Sequence, residues 1–256
     1  MNAKIFVTGG TGGLGSHTVP LLRAAGYDLR ILSRSAREDT EGVEYVTGDL
    51  LAGENGANID EALDGIETVL HLAGAQKGDD IATRNLAQAA ARAGVRHIVY
   101  ISVIGADKVP VGWLRMKAAA EKAIEESGVP YTILRAAQFH DLTLKAVRTM
   151  AKLPVVPNPG GLRFQPVDAR DVAARLVELV AGPPAGLVPD IAGPEVIAMG
   201  DLVRSYVKAA GKHRMLMPVR IPGKAGKAYR AGDNLTLDGA LVASGSWTDF
   251  LAAHVG

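Results

Sequence analysis

The sequence predicts an α/β fold, a doubly wound parallel sheet with helices on both faces and a smaller C-terminal part. Three observations predict it. Strand-like apolar runs alternate with helical patterns from Lys4 to Leu134. The first run passes directly into a glycine-rich turn and then a helix. Beyond Ala136 the alternation ends, and prolines from Pro154 to Pro194 cut the chain into shorter pieces. Strands separated by helices of this length need crossover connections, and crossovers make parallel sheets.

Taken in order, Lys4–Thr8 (KIFVT) is a short β-branched strand. Gly13–Ala25 carries helix spacing at Leu14, His17, Thr18, Leu21 and Leu22. Asp28–Ser33, Val43–Thr47 and Thr68–Leu72 are the next strands, and Asp79–Ala93 is an Ala-rich amphipathic helix. Val95–Ser102 is another apolar strand, followed by a helix over Leu114–Ser127 that Gly128 ends, and by strand Tyr131–Leu134. Later helices are expected at Ala169–Val180, Met199–Ala210 and Thr248–His254. This second half is expected over the open end of the sheet, where α/β folds place their ligand crevice.

Composition excludes several classes. The chain has 256 residues, 48% of them apolar, enough for a sizeable core. Lys and Arg number 28 against 27 acids, so charge gives no reason to expect nucleic acid or an anionic membrane as partner. There is no Cys, which removes disulfides, thiolate metal sites and cysteine nucleophiles. No run approaches the ~18 apolar residues of a membrane-spanning helix, and the N-terminus lacks a secretory apolar core. A soluble cytoplasmic protein is expected, a monomer or homodimer acting on a small molecule. The six histidines show no ligand spacing, so no metal is expected.

The turn Thr8-Gly9-Gly10-Thr11-Gly12-Gly13-Leu14-Gly15 lies between the first strand and the first helix. It satisfies G-x-G-x-x-G through Gly10, Gly12 and Gly15, G-x-x-G-x-x-G through Gly9, Gly12 and Gly15, and G-x-x-x-G-x-G through Gly9, Gly13 and Gly15. In this context it reads as a dinucleotide-binding (Rossmann) turn, whose amides approach a pyrophosphate at the positive helix end. Residues 1–136 then form the dinucleotide-binding core. Residues 137–256 form a substrate-binding part and return elements of the same domain. At the end of the second strand, Leu32-Ser33-Arg34-Ser35 has no acid to repel a 2′-phosphate. Ser33 can donate to such a phosphate and Arg34 can face it as a fork, so NADP(H) is the expected cofactor. The alternative for Arg34 is an ordinary exposed loop arginine.

With these residues in view, the chain resembles the short-chain dehydrogenase/reductase superfamily in its atypical, NAD(P)H-binding, NmrA-like branch. Thr8–Gly15 is similar to the family's nucleotide loop. Gly48-Asp49-Leu50 resembles its adenine-contacting segment, and His71-Leu72-Ala73-Gly74 the segment along the cofactor ribose. Ile81–Ala93 resembles the helix that follows. Gly128–Arg135 and Gln165–Ala173 resemble its sixth strand and the return segment below the substrate pocket. Other readings stand beside these: Asp49 as a turn cap, His71 as a core histidine, Asp168 and Asp171 as helix N-cap and first-turn acid.

The resemblance also implies a catalytic serine after the fifth strand and a Tyr-x-x-x-Lys on the next helix. Ser102 and Lys117 stand at those places, while Trp113 occupies the tyrosine's position. An indole N–H is no general acid, so the family's standard mechanism lacks its proton donor. Trp113 either walls the pocket or packs in the core. His140, after the sixth strand, titrates in the useful range and is the candidate substitute acid. Tyr100 shares Ser102's strand face but is expected to lie too deep. The leading expectation is an NADP(H)-dependent oxidoreductase reducing a small carbonyl or quinone-type substrate. The alternatives are an NADP(H)-binding redox sensor or regulator with little turnover, and a cofactor-assisted non-redox enzyme.

Overall fold

The computed structural model describes residues 3–55, 59–74 and 77–255. In chain order come β1 (Lys4–Thr8), α1 (Gly13–Ala24), β2 (Asp28–Ser33), β3 (Val43–Thr47), a 3-10 turn (Leu50–Asn55) and α2 (Ile59–Ala62). Then follow β4 (Thr68–His71), α3 (Asp79–Arg92), β5 (His97–Val103), α4 (Gly112–Glu125), β6 (Tyr131–Ala136) and α5 (His140–Met150). The remainder is β7 (Val155–Pro159), β8 (Arg163–Phe164), α6 (Ala169–Ala181), β9 (Gly186–Leu187), β10 (Ile191–Ala192) and β11 (Ile197–Ala198). Last are α7 (Met199–Ala209), β12 (Met215–Val219), α8 (Gly223–Ala231), β13 (Leu241–Val242) and α9 (Trp247–His254).

The chain forms two compact units that interleave along the sequence. The first takes Met1–Ser102, Arg115–Leu134 and Ala173–Val188; the second takes Val103–Leu114, Arg135–Val172 and Pro189–Gly256.

In the first unit the strand order is β6-β5-β4-β1-β2-β3, with β9 added to β6. β1 pairs in parallel with β2 and β4, β2 with β3, and β4 with β5. The order reverses between β1 and β4, where Thr8 lies opposite His71. Such a switch point is where open α/β sheets leave a crevice at the strands' carboxyl ends. One face is sealed by a core in which Phe6, Val69, Ile98 and Tyr100 meet Leu63, Leu86, Ala90 and Ile124. Helix α3 reaches that core through Thr83, Leu86, Ala87 and Ala90, the three- and four-residue spacing of one helical face.

The second unit has its own core. Leu144 and Val147 of α5, Leu202 and Tyr206 of α7, and Trp247 and Phe250 of α9 pack together. β12 and β7 form a parallel pair, β11 and β8 an antiparallel one, and β13 joins β10, whose Ile191 pairs with Ala136. Ser246 caps α9, accepting from the Asp249 amide at 3.1 Å. Among the described residues no helix is long and apolar enough to cross a membrane.

Candidate functional site

In the first unit the glycine turn shapes a cradle. Gly9 has φ +72, and a Cβ there would lie 2.5 Å from the Ala73 amide nitrogen. A Cβ on Gly15 would lie 2.3 Å from the Gly9 carbonyl oxygen. Both contacts are with backbone, so neither position admits a side chain without moving the turn. Gly12 differs: its backbone is extended, it starts α1, and no side chain caps the helix. The first turn of α1 carries no acid either. Its orphan amides and positive helix end are therefore left for an anion, and Gly12 and Gly13 are exposed beside them. Of the three spacings that the sequence allows, the two that begin at Gly9 and end at Gly15 hold both of these backbone-filled positions. The arrangement fits a pyrophosphate.

A hydrogen-bonded chain ties the cradle to β4 and α3. The Ala73 amide donates to Thr8 Oγ1 at 3.3 Å, and Thr8 Oγ1 lies 2.6 Å from His71 Nδ1. His71 Nε2 lies 2.9 Å from Thr83 Oγ1, which donates to the Asp79 carbonyl at 2.8 Å. Because Thr83's proton is already donated, His71 donates from Nε2 and accepts at Nδ1. Burial, reinforced by the Lys117 charge, pushes its pKa down to about 3, against a smaller upward pull from Asp79. His71 is thus a neutral core histidine that sets the geometry of the Leu72-Ala73-Gly74 segment.

Lys117 ends beside that segment. Its Nζ lies 3.0 Å from Asp79 Oδ2 and 3.1 Å from the Tyr100 hydroxyl. A Cβ on Gly74 would stand 3.6 Å from the same nitrogen. The sequence placed Tyr100 too deep to matter, and it is indeed fully buried, yet its phenol is a direct partner of Lys117. Burial and the Asp79 and Glu121 charges hold that phenol well above the usual tyrosine range. It stays protonated and orients the lysine. Asp79, 3% exposed, is the partner that sequence reading missed; its place in the first turn of α3 was the available signal.

Other expected residues bond differently from expectation. Ser102 is buried, and its hydroxyl donates to Glu121 Oε1 at 2.5 Å. That proton is committed to a buried carboxylate one helical turn beyond Lys117. Ser33 donates to the Ser35 carbonyl at 2.7 Å, closing its own loop in place of offering a donor to a phosphate. Arg34 is exposed. Asp49 is exposed and accepts the Leu51 amide at 3.0 Å, the turn-capping alternative, and Leu50 is buried in the core.

In the second unit His140 opens α5 and is 1% exposed, where the sequence left it as a site or surface residue. Its ring lies 4.9 Å from Phe250 and 5.8 Å from Trp247 between centroids. Neither ring nitrogen makes a hydrogen bond of good geometry. Burial lowers its pKa, outweighing the upward pull of Asp168, the Pro166 carbonyl, Asp141 and Asp171. A neutral, enclosed imidazole lacks the acidic imidazolium proton and access to a ligand, so this placement does not support the role of acid. Asp168 caps α6 through the Arg170 amide at 2.8 Å, and Asp171 accepts the Ser244 and Gly245 amides.

The same unit holds a shallow, open hollow walled by Trp113, Phe164 and Tyr229. Trp113 is 36% exposed, so it is a pocket wall and not core packing. Gln138, Gln165 and Asn234 are its polar lining.

A family model described as NAD(P)H-binding matches residues 9–183. The chain is 32% identical to (4-alkanoyl-5-oxo-2,5-dihydrofuran-3-yl)methyl phosphate reductase of Streptomyces griseus, over 81% of this chain and 74% of that protein. It is 28% identical to NAD(P)H azoreductase of Xenophilus azovorans, over 81% and 74%. Among solved structures, NADPH-dependent quinone oxidoreductase from Escherichia coli, complexed with NADPH, matches with a TM-score of 0.82. That likeness, at 20% identity, covers 97% of this chain and 99% of the other and concerns the fold.

Proposed function

The chain belongs to the NAD(P)H-binding family, in the atypical, NmrA-like branch of the short-chain dehydrogenase/reductase superfamily, and from that premise we propose an NADP(H)-dependent oxidoreductase reducing a small carbonyl or quinone-type acceptor. The observation that carries this reading is the uncapped, acid-free start of α1 behind the glycine turn. Its amides receive the pyrophosphate, and Leu72, Ala73 and Gly74 border the ribose. Lys117, held by Asp79 and Tyr100, bonds the ribose hydroxyls. NADPH, when bound, supplies the hydride. The aromatic hollow of the second unit takes the acceptor. An azoreductase and a quinone oxidoreductase stand among the proteins named above, which agrees with an easily reduced acceptor for a chain that has Trp113 in place of the tyrosine. A quinone-type oxygen is a weak base when reduced and takes its proton from water, so it needs little help from an acid.

Two experiments test this. Loss of reduced-nicotinamide absorbance with a panel of quinones and simple ketones should show quinone reduction, faster with NADPH than with NADH. No turnover of any acceptor would refute the reading. Arg34→Ala should remove about 1.5–3 kcal/mol of NADPH affinity, the size of a charged hydrogen bond, and leave NADH unchanged. Equal losses for both cofactors in calorimetry would show that Arg34 does not read the phosphate.

Trp113→Tyr should leave NADPH affinity within about twofold and raise ketone reduction by at least tenfold. General acids contribute about 10²–10⁴-fold, and the new phenol, one helical turn from Lys117, would be imperfectly placed. Since Trp113 is a partly exposed wall, the change leaves the core intact. Unchanged ketone rates in a folded variant would show that the missing phenol is not what limits carbonyl reduction.

A further inference from the structure

The near balance of 28 Lys and Arg against 27 acids hides a segregation within the second unit. Residues 142–167 and 202–232 hold twelve of the Lys and Arg and none of the acids. The two stretches meet in the parallel pair of β7 and β12, in register from Met215 opposite Val155 to Val219 opposite Pro159. Side chains alternate across such a ribbon. Val156 and Leu216 turn inward, to the core that holds Val147 and Tyr206. Val155, Met215 and Met217 turn the other way and are 40%, 70% and 50% exposed. Leu153, just before β7, and Ile221, just after β12, are exposed as well. Exposed cations rim this aliphatic strip. Lys152 lies three residues before Val155, Lys212 three before Met215 and Arg220 three after Met217, no more than about 10 Å of backbone in each case. Lys224 and Lys227 follow on the exposed side of α8. Among the described residues none of these five cations forms an ion pair, unlike Arg204, which Asp201 neutralises at 2.6 Å.

Unpaired cations around protruding aliphatic groups suit a partner that supplies negative charge and an apolar layer together. Nucleic acid supplies only the charge, and the strip has no aromatic ring to stack on bases. A second copy docked about a two-fold axis would set the same cations against each other, because such a contact pairs a patch with itself. An anionic bilayer supplies both. Aliphatic side chains enter between its headgroups while long basic side chains reach back to the phosphates. We propose that the outer face of β7 and β12, rimmed by Lys152, Lys212 and Arg220, docks this protein peripherally on an anionic lipid surface. A whole-chain charge of +1 does not oppose this, since attraction follows the local potential within a Debye length of roughly 10 Å. The contact is peripheral, as no helix among the described residues is long and apolar enough to cross a membrane.

Flotation of the full chain with two kinds of vesicle tests it, phosphatidylcholine alone and equal parts phosphatidylcholine and phosphatidylglycerol. Partition at low salt should be at least about tenfold stronger into the anionic vesicles, and should fall as salt is added. Lys152→Glu combined with Arg220→Glu should weaken it at least about twentyfold, since one cation near such a surface is worth about fivefold and reversal more. Met215→Ser combined with Met217→Ser should weaken it at least about threefold and leave its salt dependence unchanged. All four side chains are exposed, so both variants should melt with the wild type. Lys224→Glu with Lys227→Glu is a second charge pair should the first disturb the fold. Equal partition into both vesicles, or none into either, overturns the proposal. A loss with the charge pair alone, matched by an equal loss of duplex DNA binding, would mark a general polyanion patch and overturn it too. A dimer on gel filtration that the methionine pair dissolves, with no vesicle binding, would give the strip to a second copy instead.

Discussion

Lys117→Met is expected to lower folding stability by about 3–5 kcal/mol, the usual result of removing one partner of a buried ion pair. The side chains of Lys117 and Asp79 are only 13% and 4% exposed, and their charged atoms are 3.0 Å apart. Methionine nearly preserves the lysine's length, so the loss is not one of volume. What remains is a carboxylate beneath the cofactor segment with its cation gone, and a phenol at Tyr100 that has lost its neighbour. Adding Asp79→Asn should restore most of the stability, because it removes the buried charge that Lys117 balanced. Urea unfolding of wild type, both single variants and the double variant measures this coupling. Additive losses, or a loss below about 1 kcal/mol for Lys117→Met, would show that the pair does not act as a unit.

That pair also marks how far the sequence could be read. Strands β1, β2 and β3 appear with the bounds their β-branched runs suggest, and β4, β5 and β6 shift by a residue or two. Continuous apolar runs between helices are a strong signal because burial on both faces requires them. Helices α5 and α8 escaped reading because packing, more than propensity, holds both. α5 carries β-branched Thr143, Val147 and Thr149 and is held by its buried face, not by propensity. α8 contains Gly223 and Gly226 in nine residues, and its existence depends on tertiary contacts.

The candidate site was legible in its backbone and not in its side-chain partners. Glycines report directly on close approach, so the turn at Gly9–Gly15 was found. Partners such as Asp79 for Lys117, Glu121 for Ser102 and Ser35 for Ser33 depend on rotamers and on helices crossing strands far apart in sequence. Spacing alone does not encode these. His140 shows the same limit in reverse. Its residue type invited a catalytic role, while aromatic neighbours from α9, more than a hundred residues later, enclose it.

Gly12→Val is expected to abolish NADPH binding, a loss of at least about a thousandfold, while the first unit stays folded. The distinction from its neighbours is geometric. At Gly15 an added Cβ would press within 2.3 Å of the Gly9 carbonyl and 2.5 Å of Gly10, so Gly15→Val should damage the turn itself. At Gly12 the Cβ meets only the Gly9 oxygen at 3.2 Å, and the backbone is already in a conformation any residue adopts. The valine methyls therefore extend outward over the first-turn amides, into the space that a pyrophosphate fills. Two or more charge-assisted hydrogen bonds are lost together, each worth roughly 1.5–3 kcal/mol, which accounts for the thousandfold. Exchanging glycine for valine at an N-cap weakens α1 by about 1 kcal/mol, so the melting temperature should fall by only a few degrees. Fluorescence titration with NADPH and thermal melting of the two variants separate the effects. A folded Gly12→Val protein that still binds NADPH would remove this turn from the cofactor site, and the assignment of α1 would go with it.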